Sequence, residues 1–277
     1  MLDIPEPSQD EIDEANAQFW NTLCGSSWLK MLGVTDNQPE SLQRFDDWYM
    51  SYYPYLADHV PLSSFANKKV LEVGLGYGTL SQKIAEAGAD YLGIDIALGP
   101  VSMVKHRLKQ MKLPGGAIQR SFLENRLPDE SFDAVVAIGC FHHTGNVQGC
   151  IDETFRLLKP KGTAHLMVYN RYSHRRWVNE HDTFVKELVD EEFGSATFGR
   201  TAEHERAASD TDLDGNAAPE TALLSLREFE RRLGAFSKIN IEKENMDESI
   251  EAGMDRKDVL KTWGKRAGLD LYAVVVK

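Results

Sequence analysis

Cysteine, long apolar runs and basic charge are all scarce in this sequence. Its 277 residues include three cysteines, Cys24, Cys140 and Cys150, whose spacing matches neither a zinc site nor a paired disulfide framework. This usage fits a reducing compartment, and the cytoplasm is our default expectation. The first residues show no basic start followed by an apolar stretch, and nowhere do eighteen apolar residues occur together. We therefore expect neither secretion nor membrane spanning.

Basic residues are scarcest at the amino terminus. Residues 1–60 hold eleven Asp and Glu but only Lys30 and Arg44, and the whole chain has a net charge of −12. Nucleic-acid enzymes usually present a basic stripe, because neutralising phosphates supplies most of their non-specific affinity. The charge pattern therefore argues against a nucleic-acid partner. The oligomeric state stays open at this stage, with a homodimer as one candidate.

Periodic apolar patterns predict the order of helices and strands. Residues 10–23 and 40–60 place apolar and aromatic side chains at helical spacing, so the first sixty residues are expected to be helical. After them, short strands alternate with helices, which favours a parallel sheet with right-handed crossovers. A turn is expected at residues 160–162. The predicted strands are 69–73, 91–97, 116–120, 132–140, 163–170, 236–245 and 269–277.

The predicted fold class is α/β: a doubly wound, Rossmann-like, seven-stranded and mostly parallel sheet with additions. We divide the chain into a helical cap (1–62), a cofactor-binding core (63–175), a helix and insertion (176–224) and a completion of the sheet (225–277). The polar stretch 194–222 is either a lid or a disordered loop, and the sequence does not separate the two. Helices are predicted at about 176–192, after a capping box at Ser225 and Glu228, and from Asp255.

One glycine motif marks a ligand site. In the segment from Glu72 to Thr79, glycines recur every second residue, directly after a strand and before a helix. Glycines let the backbone turn tightly and approach a ligand, and the following helix offers free N–H groups at the carboxyl edge of the sheet. Dinucleotide enzymes place the third glycine one residue later, where this chain has Thr79. The spacing therefore disfavours NAD.

The ExGxGxG pattern resembles the glycine motif of class I S-adenosylmethionine-dependent methyltransferases. The resemblance runs from about Lys69 to Asn170 and includes further marks in the family's order. These are Asp95 at the end of the second strand, Leu127-Pro128, Ser131-Phe132-Asp133 and the run from Leu158 to Gly162. It implies S-adenosylmethionine as cofactor, with Asp95 accepting hydrogen bonds from the ribose hydroxyls. The residues that we expect to bind the cofactor are Glu72, Gly74, Gly76, Gly78, Asp95, Ile96, Ser121, Phe122 and Cys140.

The sequence departs from the family after the third strand. Many members carry an Asp there that binds the adenine amino group, whereas this chain reads Arg120-Ser121-Phe122. Ser121 could hydrogen-bond the adenine edge and Phe122 could stack on it. The alternative is that they are a turn residue and a core aromatic.

Methyl transfer from a sulfonium is a direct displacement, so much of the catalysis can come from holding the acceptor in line. The family's acceptor site lies beyond the fourth strand, where His142 and His143 stand. Either imidazole could act as a general base, with His142 preferred, or could instead cap a helix or pack on the cofactor. Adjacent histidines are poorly arranged for one ion, so no metal is expected. Cys140 ends a buried strand and is interpreted as packing rather than as a nucleophile.

Two groups of side chains are candidates for binding the acceptor. Tyr49 and Tyr53 belong to an aromatic cluster in the cap, which could shape the pocket or favour a cation, or could be core. Arg171 and Arg175 follow the fifth strand, where an arginine fork would favour an acidic acceptor unless it lies on a solvated face.

The predicted function is methyl transfer from S-adenosylmethionine to a small-molecule acceptor of unknown identity. Two alternatives stay open: a protein or RNA methyltransferase, and a non-catalytic protein that binds S-adenosylmethionine. The Asn-Pro-Pro-Tyr type of motif seen in many members that methylate nucleic acids and proteins is absent after the fourth strand.

Overall fold

A seven-stranded sheet organises the molecule. The computed structural model describes residues 7–23, 26–196, 198–247 and 254–277. The sheet has the order β3-β2-β1-β4-β5-β7-β6 and confirms the predicted fold class. Its strands are β1 (Lys69–Val73), β2 (Asp90–Asp95), β3 (Gly116–Gln119), β4 (Phe132–Ile138), β5 (Leu158–Tyr169), β6 (Lys238–Glu244) and β7 (Asp270–Val276).

The strand order creates a cleft at the carboxyl ends of the central strands. β1 pairs in parallel with both β2 and β4, so that Glu72 lies opposite Gly93 on one side and Val136 on the other. β7 runs antiparallel between β5 and β6. The order reverses at β1, and in doubly wound folds a ligand binds where the order reverses.

Helices cover both faces of the sheet and form the amino-terminal region. The predicted helical character of the first sixty residues agrees with the helices that the structure describes before β1. The helices are α1 (Gln9–Leu23), α2 (Ser26–Met31), α3 (Pro39–Tyr52), α4 (Leu56–His59), α5 (Thr79–Glu86), α6 (Leu98–Gln110), α7 (Val147–Leu157), α8 (His174–Asn179), α9 (His181–Glu192), α10 (Glu203–Ser209), α11 (Leu226–Arg232), α12 (Arg256–Val259) and α13 (Lys265–Ala267).

The central strands are buried on both faces, as continuous apolar runs in a parallel sheet should be. Val70 points into a core shared with α4, α5, α6 and α12. Leu71, the next residue, points into a second core shared with α7 and α11. Both side chains are fully buried. Because neighbouring strands end inside these two cores, the loops that follow them are held at fixed positions.

Two local predictions need correction. The turn predicted at 160–162 lies within β5, which begins at Leu158, and the chain passes it with Lys161 at φ 67° and a register shift against β4. The single helix predicted over 176–192 is two helices that meet at Glu180, whose backbone (φ −131°, ψ 40°) is not helical. In both places a single residue, Lys161 or Glu180, has a backbone conformation that differs from that of its neighbours.

The segment predicted as an irregular insertion contains the short helix α10, and the residues directly after it reach the carboxyl edge of the sheet. Within the described residues, no helix is long and apolar enough to cross a membrane.

Candidate active site

The glycine turn after β1 brings the backbone into a cavity. Gly74, Gly76 and Gly78 all have positive φ, at 77°, 51° and 80°. A Cβ on Gly74 would lie 2.5 Å from the Cβ of Cys140, so the turn and the end of β4 pack too closely for any side chain there. A Cβ on Gly76 would meet no atom within 4 Å. Gly76 therefore presents bare backbone to open space, as a turn that cradles a ligand requires.

Asp95, at the end of β2, supports the glycine turn. Its Oδ2 accepts a hydrogen bond from the Leu75 backbone N–H at 2.7 Å, and its Oδ1 accepts one from Ala97 N–H at 2.9 Å. A carboxylate offers about four acceptor sites, so each oxygen retains one for a ligand hydroxyl. Burial raises the pKa of Asp95, and these backbone hydrogen bonds oppose the rise. The residue thus both shapes the turn and keeps acceptor sites free for a ligand hydroxyl.

Glu72, the last acid before the turn, is buried beneath it. Its Oε2 accepts hydrogen bonds from the hydroxyls of Ser81 at 2.5 Å and Tyr91 at 2.6 Å. Burial raises the pKa of Glu72 to about 7, against the lowering effect of both hydroxyls. A cationic ligand beside this carboxyl would favour its ionised form.

One cavity of about 530 Å³ joins these elements, within the usual range for small-molecule sites. All nine residues predicted to bind the cofactor line this cavity, as do Tyr49 and Tyr53. The cap also contributes Trp48, which belongs to the predicted aromatic cluster, and two tryptophans that sequence reasoning did not assign to the site, Trp20 and Trp28. The cavity therefore has a glycine-and-acid half on the sheet and an aromatic half under the cap.

Both interpretations of the segment after β3, contact with a ligand and packing in the core, are compatible with the structure. Ser121 and Phe122 line the cavity, and the Phe122 ring also stacks on Phe141 at 5.5 Å between centroids within the core. Arg120, which sequence reasoning did not select, lines the cavity beside them and donates a hydrogen bond to the Asn125 carbonyl. Where many family members carry an Asp, this chain therefore has a guanidinium group, a hydroxyl and an aromatic ring lining the cavity.

Cys140 fixes the end of β4 to the end of β1. Its thiol donates a hydrogen bond to the Val73 carbonyl at 3.0 Å, and burial raises its pKa well above the usual range. A neutral thiol engaged in this way is a poor nucleophile.

Only one of the two candidate histidines reaches the cavity. His142 is fully buried, both its ring nitrogens lack a hydrogen-bond partner, and it is not among the cavity-lining residues. The preference for His142 as general base is therefore not supported. His143 lines the cavity and packs under Trp20, with ring centroids 4.7 Å apart. Burial lowers the pKa of both imidazoles.

The cap contacts the His143 loop through α1. The Asn16 side chain donates a hydrogen bond to the His143 carbonyl at 2.6 Å, and Gln9 donates one to the Thr144 carbonyl at 2.8 Å. Farther along the cap, Asp46 of α3 accepts two hydrogen bonds from the buried Arg107 guanidinium and one from the Thr79 hydroxyl. These contacts close the aromatic half of the cavity over the sheet.

The structure does not support the predicted arginine fork as an acceptor site. Arg171 donates to the Leu223 carbonyl at 2.6 Å and stacks over the Phe198 ring, and it lines neither the main cavity nor a smaller neighbouring one of about 220 Å³. Arg175 lines the smaller cavity, but Asp247 pairs with its guanidinium at 2.6 Å. Because Arg171 and Arg175 serve these contacts, they do not favour an acidic acceptor.

Asp210, which sequence reasoning missed, lies at the junction of both cavities. It follows α10 in the polar insertion, and its Oδ2 is 3.6 Å from Nε2 of His143. The sequence carries no local signal for it, because a lone Asp in a polar stretch is indistinguishable from its solvated neighbours.

Metal binding has one candidate among the residues that the structure describes, namely His59, Glu242 and Glu244. His59 Nε2 lies 2.8 Å from the Glu244 carboxylate. Lys265 donates from its ammonium group to Glu242 at 2.6 Å and also to Glu244. The lysine ammonium group already supplies the positive charge that a metal ion would bring to these glutamates.

The comparisons with known proteins agree with this geometry. Residues 71–166 match a family model described as a methyltransferase domain. Ubiquinone biosynthesis O-methyltransferase of Dechloromonas aromatica is 36% identical over 110 residues, which cover 39% of this chain and 47% of that protein. Demethylmenaquinone methyltransferase of Tropheryma whipplei is 32% identical over 111 residues, which cover 40% of this chain and 44% of that protein. The chain thus spans less than half the length of these curated relatives.

Among solved structures, magnesium protoporphyrin IX methyltransferase of Synechocystis with bound S-adenosylhomocysteine superposes with a TM-score of 0.54. The identity is 13%, and the alignment covers 96% of this chain and 99% of that one. This likeness concerns the fold. Residues 71–166 match the methyltransferase-domain model, and the predicted resemblance to class I S-adenosylmethionine-dependent methyltransferases is confirmed.

Proposed function

We propose that the protein transfers a methyl group from S-adenosylmethionine to a small-molecule acceptor by direct displacement. The observation that carries the proposal is the single cavity in which the glycine turn, Asp95 and the aromatic cap face one another. The sheet half would hold the donor, and the cap half would hold the acceptor.

The residues of the sheet half fit the donor's chemistry. The bare backbone at Gly76 leaves space for a ligand, and Asp95 retains acceptor sites for two ribose hydroxyls. Glu72 supplies a carboxyl group to a donor that carries positive charge on its sulfonium and ammonium groups. When bound, the donor supplies an electrophilic methyl group. The chain itself has to orient that group and exclude water.

The cap half favours an aromatic or otherwise apolar acceptor. Trp28, Trp48, Tyr49 and Tyr53 line this half, and aromatic rings attract apolar, aromatic and cationic groups. The names of the two curated relatives refer to ubiquinone biosynthesis and to demethylmenaquinone, both quinone-related. We therefore propose a hydroxylated or amino-substituted aromatic ring as the first class of acceptor to test.

Catalysis would depend mainly on placement. Displacement needs the acceptor atom about 3 Å from the methyl carbon and in line with the bond that breaks. No covalent enzyme intermediate is required, which agrees with a Cys140 thiol that is held by the Val73 carbonyl.

The test is isothermal titration with S-adenosylmethionine and S-adenosylhomocysteine, followed by transfer of radiolabelled methyl groups to a panel of phenols, hydroquinones and arylamines. We expect binding of both compounds and transfer to at least one acceptor. Binding without transfer to the panel, to protein or to RNA would instead indicate a non-catalytic binding protein. Transfer to protein or RNA alone would favour a macromolecular methyltransferase. Failure to bind either compound would remove the proposal.

A further inference from the structure

His143 and Asp210 bring two acceptor atoms together inside the main cavity. His143 stands on the turn after β4, and Asp210 follows α10, yet Nε2 and Oδ2 lie only 3.6 Å apart. Both residues line the cavity beside the aromatic cap. Their side chains are 5% and 19% exposed, so water screens this pair weakly.

The hydrogen-bond pattern determines which nitrogen of His143 carries a proton. Nδ1 lies 2.8 Å from the backbone carbonyl of Glu220, and a carbonyl can only accept, so Nδ1 donates. The same carbonyl accepts a second hydrogen bond, from the Thr221 hydroxyl at 2.8 Å. In neutral imidazole the other nitrogen then has a lone pair. Nε2 of His143 is therefore an acceptor and faces the Asp210 carboxylate.

The Asp210 carboxyl group interacts with the Tyr169 hydroxyl, but its Oδ2 atom, which faces Nε2 of His143, lacks a donor. Its Oδ2 is buried and has no hydrogen-bond partner. Two acceptors that face each other without a proton between them repel, and buried polar groups in native proteins usually have partners. A ligand O–H or N–H group placed between them can direct its hydrogen at both atoms, which relieves this repulsion.

We propose that His143 and Asp210 together bind the acceptor's O–H or N–H group and that His143 removes its proton during methyl transfer. This inference rests on the proposed function and names the two side chains that hold the acceptor's hydroxyl or amine. It also assigns a role to the insertion, because residues 194–222 supply one member of the pair.

The step balances in atoms and charge. The bond from the methyl carbon to the acceptor oxygen or nitrogen forms as the carbon–sulfur bond breaks, and the electron pair of that bond stays on sulfur. The acceptor's proton passes to Nε2 of His143. The positive charge therefore moves from sulfur to an imidazolium ion beside the Asp210 carboxylate, which stabilises it. S-adenosylhomocysteine and the methylated acceptor leave, and the proton returns to solvent.

The groups around His143 determine the pKa of its imidazole. Burial lowers the pKa of His143, whereas Asp210 and the Glu220 carbonyl act to raise it. Removing the charge of Asp210 should therefore lower this pKa further. The charged and titratable groups around His143 are His142, Tyr169, Asp13, Asp210, and Glu220 with its partner Arg200.

The first test measures the imidazole directly, without turnover. Protein labelled with ¹⁵N-histidine and saturated with S-adenosylhomocysteine is titrated by NMR as wild type, Asp210→Asn and Asp214→Asn. Asp214 is an exposed acid in the same segment and serves as the matched control. We expect His143 to be the tautomer protonated at Nδ1, with its pKa lowered in Asp210→Asn only. Protonation at Nε2, or equal pKa values in all three proteins, would overturn the pairing.

The second test uses the acceptor found by the methyl-transfer screen and its analogue without the hydroxyl or amine hydrogen. We expect His143→Gln to reduce kcat about 100-fold, in the usual range for a lost general base. Asp210→Asn should reduce kcat and move the acid limb of the pH profile to lower pH, with binding of S-adenosylhomocysteine changed less than twofold. Wild-type kcat in both variants, or transfer to the blocked analogue, contradicts the inference. Absence of cofactor binding contradicts the proposed function instead.

Discussion

At the scale of single residues, substitutions at Gly76 and Gly88 distinguish the effect of ligand contact from that of backbone strain. Its φ of 51° disfavours any side chain, as does the φ of 84° at Gly88, which does not line the cavity. Each Gly→Ala change should cost roughly 1–2 kcal/mol of stability, because the left-handed conformation is unfavourable for L-residues. We expect Gly76→Ala alone to weaken S-adenosylhomocysteine binding by tenfold or more, as measured by titration calorimetry. Equal affinities in the two variants would show that the turn does not contact the ligand.

Glu72 should make donor binding depend on pH. Its raised pKa of about 7 means that the carboxyl gains a proton as pH falls through neutrality. The ionised form attracts a cationic donor and the protonated form does not, so the affinity for S-adenosylmethionine should fall from pH 8 to pH 6. For one linked group, the loss at one unit below the pKa approaches tenfold. Calorimetry at both pH values checks this.

The control for this prediction is Glu72→Gln, which retains the hydrogen-bonding shape but does not titrate. Its affinity for S-adenosylmethionine should be the same at both pH values. A variant that keeps the wild-type pH dependence would assign the effect to another group.

At the scale of elements, a buried ion pair connects the cap to the sheet. Asp46 of α3 accepts from both terminal nitrogens of Arg107 in α6, at 2.9 and 3.0 Å, and both residues are almost fully buried. Asp46→Asn would leave the guanidinium buried without its counter-charge, which typically costs about 3–5 kcal/mol. Urea unfolding measures this loss. Asp47→Asn, at the exposed neighbouring position, should change stability by less than about 0.5 kcal/mol.

The double variant Asp46→Leu/Arg107→Leu distinguishes the lost pair from a packing defect. Replacing both charges of a buried pair by apolar groups is often close to neutral, so much of the stability should return. A double variant as unstable as Asp46→Asn would mean that the shape of the pair, rather than its charge, holds the cap.

At the scale of the whole molecule, binding in the cavity should stabilise the entire fold, since both halves of the chain line it. A ligand at 100 times its Kd adds about 2.7 kcal/mol to the free energy of unfolding. For a chain of this size, that gain raises Tm by roughly 5–10 °C. S-adenosylhomocysteine should produce this shift in differential scanning fluorimetry, whereas NAD should not, because of the glycine spacing. A larger shift with NAD would contradict the assignment of the cavity.

The donor half of the site could be read from sequence because its signals are local. A short apolar strand, glycines at alternate positions and a following helix occupy consecutive residues, and Asp95 stands at the end of the next strand. In a parallel sheet the ends of adjacent strands meet at one edge, so these residues had to converge. The acceptor half could not be read in this way, since Trp20, Asp210 and His143 come from three distant segments.

By itself, the sequence determined the alternation of strands and helices, the ligand-binding turn and the residues that line its sheet side, because backbone conformation and apolar periodicity act over a few residues. Tertiary structure alone decided that His143 rather than His142 faces the cavity, that Arg171 binds the Leu223 carbonyl and that Asp210 lies beside an imidazole. The direction of a side chain on an irregular loop depends on distant partners. For His143 that partner is the carbonyl of Glu220, 77 residues farther along the chain.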